Sequence, residues 1–220
     1  MLLLRFWGVV TVLVASTACR PQATTGAGNA HSENPQDLAE VPEDAYPGQL
    51  RPISEIPENF VLRQQLVGTS HGQTFRGETV LQKQGDTLTL IGMSPFGTRA
   101  FTLTQVDTEL DYQELLPDPL PFPARFMLLD IHRTLFVGLA GPLANGQHTA
   151  DIAGERVTED WAQGRLQRRV FSRLDGEPKG QIVVEYEGGY LPGEAPPTVR
   201  LNNQWFGYQL EVKTLMFQAI

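Results

Sequence analysis

Four histidines, at positions 31, 71, 132 and 148, are the residues of this 220-residue chain best suited to acid–base or metal chemistry. None stands at metal-ligand spacing from another His or from an acid. His132 is the one on an apolar stretch, with Glu114, Asp118 and Asp130 near it in sequence but no spacing that pairs them for proton transfer. It reads as a hydrogen-bonded structural histidine. A serine nucleophile fares no better. In Gly92-Met93-Ser94-Pro95 a proline follows the serine, no glycine closes an elbow, and the surroundings read strand–turn–strand. Gly188-Gly189 lies in a hairpin rather than in a phosphate-binding loop. The expectation is a protein that is not an enzyme and carries no metal or cofactor.

The remaining reactive group is Cys19, the only cysteine, which cannot close an internal disulfide. Ahead of it stand Arg5, an apolar run from Phe6 to Ala15, and the small residues Ser16, Thr17 and Ala18. That order is the pattern of a secretory signal peptide, and the run is too short to span a bilayer. The cysteine behind small residues resembles the lipobox of bacterial lipoproteins. The resemblance implies cleavage before Cys19 and acylation of its sulfur and new amino terminus; two or more acyl chains anchor a protein stably. Arg20, where an inner-membrane retention signal has Asp, then implies the outer membrane, facing the periplasm. The alternative is ordinary cleavage after Ala18 with an incidental cysteine. Residues 1–18 thus read as signal peptide and 19–59 as lipidated N-terminus and flexible tether, poor in large apolar groups. Residues 60–220 read as one folded domain.

The formal charge of −8 disfavours nucleic acid and anionic lipid as partners. Arg165, Arg168, Arg169 and Arg173 form the one basic cluster in sequence and read as a solvated face. A monomer is the expected state.

The elements that must position these residues follow a period of two. Leu88 and Leu90 alternate with threonines, as do Phe101 and Leu103, and Tyr208, Leu210 and Val212 alternate with polar residues. Turn residues at 84–86, 95–97, 175–176 and 202–203 separate the runs. Strands are predicted near 60–68, 74–83, 86–93, 99–106, 109–113, 155–160, 166–173, 180–187, 197–202 and 206–217. Between prolines before 124 and the glycines Gly138 and Gly141, a helix of 12–15 residues is predicted. It is apolar nearly all round except for Arg125, Asp130, His132 and Arg133, so it must be covered. The fold class expected is mainly β: one strongly curved antiparallel sheet, an open half-barrel, with the helix plugging its concave face.

Three segments in this order resemble the LolB-like outer-membrane lipoproteins: TLIGMSPFGTRAFTL, LPFPARFMLLDIHRTLFVGLAG and IVVEYEGGYLPGEAPPTVRLNNQWFGYQLEVKTLMF, together spanning about 60–217. The SPFGTR turn and long linker are closer to a sister family often encoded beside aryl-polyene or fatty-acid-type synthesis genes. The resemblance implies an open curved sheet with an apolar cavity, and a role in binding or transferring an acyl, lipoprotein or polyene-like ligand. It also implies a membrane- or partner-inserting turn, here Phe96 between Pro95 and Gly97. Leu88, Leu90, Phe101, Leu103 and Trp205 are the candidate cavity residues, although the same pattern serves an ordinary core. The alternative is a structural or assembly component of the envelope, its hollow filled by its own helix.

Overall fold

Period-two stretches become strands because alternate side chains leave opposite faces of a pleated chain. In this computed structural model, which describes residues 46–70, 72–94, 96–115, 123–176 and 179–220, they form eleven strands. These are β1 (Phe60–Ser70), β2 (Gln73–Gln84), β3 (Thr87–Met93), β4 (Arg99–Val106), β5 (Glu109–Glu114), β6 (Gly146–Ile152), β7 (Glu155–Ala162), β8 (Arg165–Arg173), β9 (Gln181–Tyr190), β10 (Thr198–Asn203) and β11 (Tyr208–Ala219). All pair antiparallel in one sheet ordered β5-β4-β3-β2-β1-β11-β10-β9-β8-β7-β6, whose outer strands leave it open rather than closed into a barrel.

Ten of the strands fall where alternation placed them. β6 did not announce itself: Gly-Gln-His-Thr-Ala-Asp-Ile has no buried apolar face, and as an edge strand it is held by its ladder with β7 alone.

The only α-helix among the described residues is α1 (Ala124–Ile131), opened by Pro123 and continued by a π-type turn over His132–Phe136. Together they span the predicted helix. The curvature of the sheet follows from what this helix touches. His132 bonds Gln105 on β4, while its neighbour Arg133 bonds Glu155 on β7. Those strands stand eight places apart in the sheet order. A flat sheet at about 4.8 Å per strand would hold them roughly 38 Å apart. Two consecutive residues reach both only because the sheet wraps around the helix.

The folded part reaches further towards the N-terminus than composition suggested. Tyr46, Leu50, Ile53 and Ile56 are all core residues, in a stretch read as tether. Proline and acidic residues around them hide an apolar spacing of three to four. This strap runs beside the helix. Tyr46 packs on Phe126, Trp205 and Phe206, Gly48 lies against Leu129 and Arg133, and Arg51 reaches His132 and Phe136. Helix and strap together cover the inner face.

Candidate functional site

Burial of the helix carries a polar cost, since its last carbonyls have no partners within the helix. The sheet supplies them. Arg169 Nη1 donates to the Arg133 carbonyl at 2.8 Å, Tyr186 Oη to Thr134 at 2.7 Å, Tyr190 Oη to Leu135 at 2.9 Å, and Arg51 Nη1 to Phe136 at 3.0 Å. The His132 carbonyl takes the Val137 amide at 2.7 Å, the bond that defines the π-turn.

Charges withdrawn from water stand behind this clamp. Arg133 Nη2 bonds Glu155 at 2.7 Å and its Nη1 bonds Asp130 at 3.0 Å; Arg169 Nε bonds Glu159 at 2.7 Å. Asp130 also accepts from the phenols of Tyr46 and Tyr208 and from Asn203 Nδ2. Three carboxylates thus face two guanidiniums, and two phenols and an amide make up the donors that Asp130 lacks. Burial and the adjacent Asp130 charge push both phenols well above their ordinary pKa, so they stay protonated as donors. Glu159 further accepts from Trp161 Nε1 and from the Leu139 amide. Arg169, read from sequence as part of a solvated basic face, is therefore buried. The correction has a simple cause: on β8 its side chain points inward, whereas Arg168 pairs with Asp160 outside.

His132 is fully buried. The Arg51 amide donates to Nδ1 at 3.2 Å, so Nε2 carries the proton and bonds Gln105 Oε1 at 2.8 Å. Burial, with the charges of Arg51 and Arg133, lowers its pKa to about 4. Both ring nitrogens are spent on structure. His148 bonds the Ala144 carbonyl; His31 and His71 lie outside the described residues. Among the described residues no group of three His, Cys, Asp or Glu is placed to hold a metal, and no helix is long and apolar enough to cross a membrane.

The candidate cavity residues are all in the core. Leu88 and Leu103 are fully buried, and Leu90, Phe101 and Trp205 nearly so. Two open clefts, of about 500 and 570 Å³, lie on the other face of the sheet, and none of these five lines either. All five belong to the buried core cluster.

The turn between β3 and β4 is different. Gly97 N donates to the Ser94 carbonyl at 2.9 Å, Ser94 N to the Thr98 carbonyl at 2.8 Å, and the Ser94 and Thr98 hydroxyls meet at 2.7 Å. Gly97, at a φ of 77°, takes the left-handed conformation the turn needs. Phe96, held at its tip, is 92% exposed. Pro95 and Cys19 lie outside the described residues.

Two features escaped the sequence reading. One is the strap; the other is the network joining Asp130 and Arg133 to Glu155, Asn203 and Tyr208, which no spacing along the chain relates.

The family described as "Protein of unknown function (DUF3261)" matches residues 61–216. No curated protein matches. The chain is similar to a LolA superfamily protein from Nitrosomonas europaea, at 12% identity and a TM-score of 0.40 over 83% of this chain and 92% of that one. It is similar also to a domain from Vibrio parahaemolyticus described as an outer-membrane lipoprotein-sorting protein, at 12% identity and a TM-score of 0.42 over 74% and 85%. A DUF1329 family protein from Desulfovibrio piger shows 6% identity and a TM-score of 0.31 over 84% and 91%.

Proposed function

For a chain that belongs to the DUF3261 family, whose description names no activity, we propose a role carried by apolar surface rather than by a catalytic group. The protein is a lipid-anchored, non-enzymatic component of the outer membrane, facing the periplasm through acyl chains on Cys19. It takes up or passes on a hydrophobic, acyl-bearing partner. The observation that carries this reading is Phe96. An aromatic ring held in water at the tip of a hydrogen-bonded turn adds nothing to the core, and moving it into an apolar phase is worth roughly 2–3 kcal/mol. The position of the turn supports the same reading. Tyr46 packs on the β10–β11 turn, and by strand direction that turn and the 94–98 turn share one rim of the sheet. A chain entering at Tyr46 and the Phe96 ring therefore meet the same side.

Replacing Phe96 with Glu in residues 20–220, the chain that follows the acylated cysteine, tests this. Co-sedimentation with phosphatidylcholine vesicles falls at least roughly tenfold, while the unfolding midpoint stays where it was. Equal sedimentation of wild type and F96E removes the turn from the function.

The burial of Leu88, Leu90, Phe101, Leu103 and Trp205 supports a second reading, in which the protein is a structural component of the envelope and its sheet surface binds another protein. Mass spectrometry of lipids that co-purify with residues 20–220 separates the two. A bound acyl chain means that strap or helix yields to a ligand and exposes Leu88, Leu90, Phe101, Leu103 and Trp205. A lipid-free protein favours assembly.

A further inference from the structure

The chain is acidic, yet its charges are not spread evenly around the Phe96 turn. The cleft of about 500 Å³ below that turn is lined by Arg63, Val67, Arg76, Glu78, Met93 and Gly97. Arg63 bonds Glu78 through Nη2 at 2.6 Å and spends that carboxylate. Arg76, exposed on β2, forms no ion pair among the described residues, and neither does Arg99, exposed at the start of β4 and paired across the ladder with Met93. Of the acids nearest in the sheet, Glu211 is paired with Arg200 at 3.2 Å, and Glu114 accepts the Tyr112 hydroxyl at 3.1 Å while keeping its charge; neither forms an ion pair with Arg76 or Arg99. Two guanidiniums outside any ion pair among the described residues therefore stand beside an aromatic ring that is 92% exposed.

We infer that Arg76 and Arg99 seat the Phe96 turn on an anionic bilayer surface, their guanidiniums taking the phosphates of the headgroups while the ring enters the acyl layer. The inference rests on the reading of Phe96 as the membrane-facing residue and adds the chemistry of the surface it meets. Charge complementarity commits it to a bilayer. An exposed ring needs an apolar phase, and planar guanidiniums match phosphate oxygens in paired hydrogen bonds. The net charge of −8 does not forbid this. Beyond about 8 Å, salt screens the distant carboxylates, and the local pair of cations decides.

The test uses residues 20–220 with vesicles of phosphatidylcholine alone and of phosphatidylcholine mixed with phosphatidylglycerol. The wild type binds the anionic vesicles roughly tenfold or more tightly than the neutral ones, a preference that fades as salt is raised. The R76Q/R99Q variant loses that preference and keeps the weaker binding to neutral vesicles that depends on Phe96; its circular dichroism shows that it is folded. Equal binding of the wild type to both vesicle types, abolished by F96E, overturns the role of the arginines and leaves the Phe96 reading standing. Absence of binding to either vesicle overturns both. A preference for anionic vesicles that persists in R76Q/R99Q places the cationic contact elsewhere and also overturns the inference.

Discussion

Arg133, on the turn that ends the helix, and Glu155, the first residue of β7, are joined at 2.7 Å with both side chains withdrawn from solvent. This ion pair ties the buried helix to one wing of the sheet, while His132 beside it ties the helix to the other through Gln105. Neither bond is strong evidence for net stability. Taking charges out of water costs several kcal/mol per ion, and the pairing returns that only when all partners are present. What the pairs do determine is where the helix sits.

Arg133→Met is therefore expected to cost about 3–5 kcal/mol, because Asp130 and Glu155 are left as buried carboxylates without their cation. R133M/E155Q is expected to lose less than the sum of the two single changes. Urea unfolding of the four proteins gives the coupling, and strict additivity would show that the pair has no mutual dependence.

His132 makes stability depend on pH. The unfolded chain takes up a proton on this side chain near pH 6.5, whereas the folded protein resists until about pH 4. The folded state thus binds fewer protons between those values. The contribution is complete above pH 6.5 and is lost as pH falls towards 4, amounting to roughly 3 kcal/mol. His132→Gln flattens that part of the pH–stability curve. An unchanged slope between pH 6.5 and 4.5 would assign the acid sensitivity to other groups.

Gly138 was legible as the end of the helix, but its neighbours explain why it is glycine. A Cβ there would stand 2.2 Å from Arg169 Nη2 and 2.5 Å from Glu159 Oε1. Gly138→Ala forces that buried pair apart and is expected to destabilise by about 3 kcal/mol. Thermal unfolding of the variant checks this, and a loss below about 0.5 kcal/mol would mean that the pair relocates freely.

Leu103→Ala distinguishes a packed inner face from an open one. In a filled core the change leaves a cavity and costs about 2–5 kcal/mol. If the position faced an open hollow, the loss would fall below about 1 kcal/mol, because little packing would be removed. Chemical denaturation reads the difference directly.

Alternation along the chain was enough for ten strands, their antiparallel hairpins and the helix between proline and glycine, because each signal is local. Residues two apart share a face whatever lies across from them, and prolines and glycines act on their own backbone. Phe96 was legible as a turn tip for the same reason. Whether the inner leucines would wall a hollow or fill a core was not, since a buried apolar side chain has the same pattern in both cases. That depends on how the helix and the strap of Tyr46, Leu50, Ile53 and Ile56 lie over the sheet, which only the tertiary structure brings together. It also brought Arg133 to Glu155, 22 residues away in sequence, and set Arg76 and Arg99 around Phe96. Charges and buried pairs meet through space, and a sheet that curls through eleven strands makes neighbours of residues whose separation along the chain carries no trace of it.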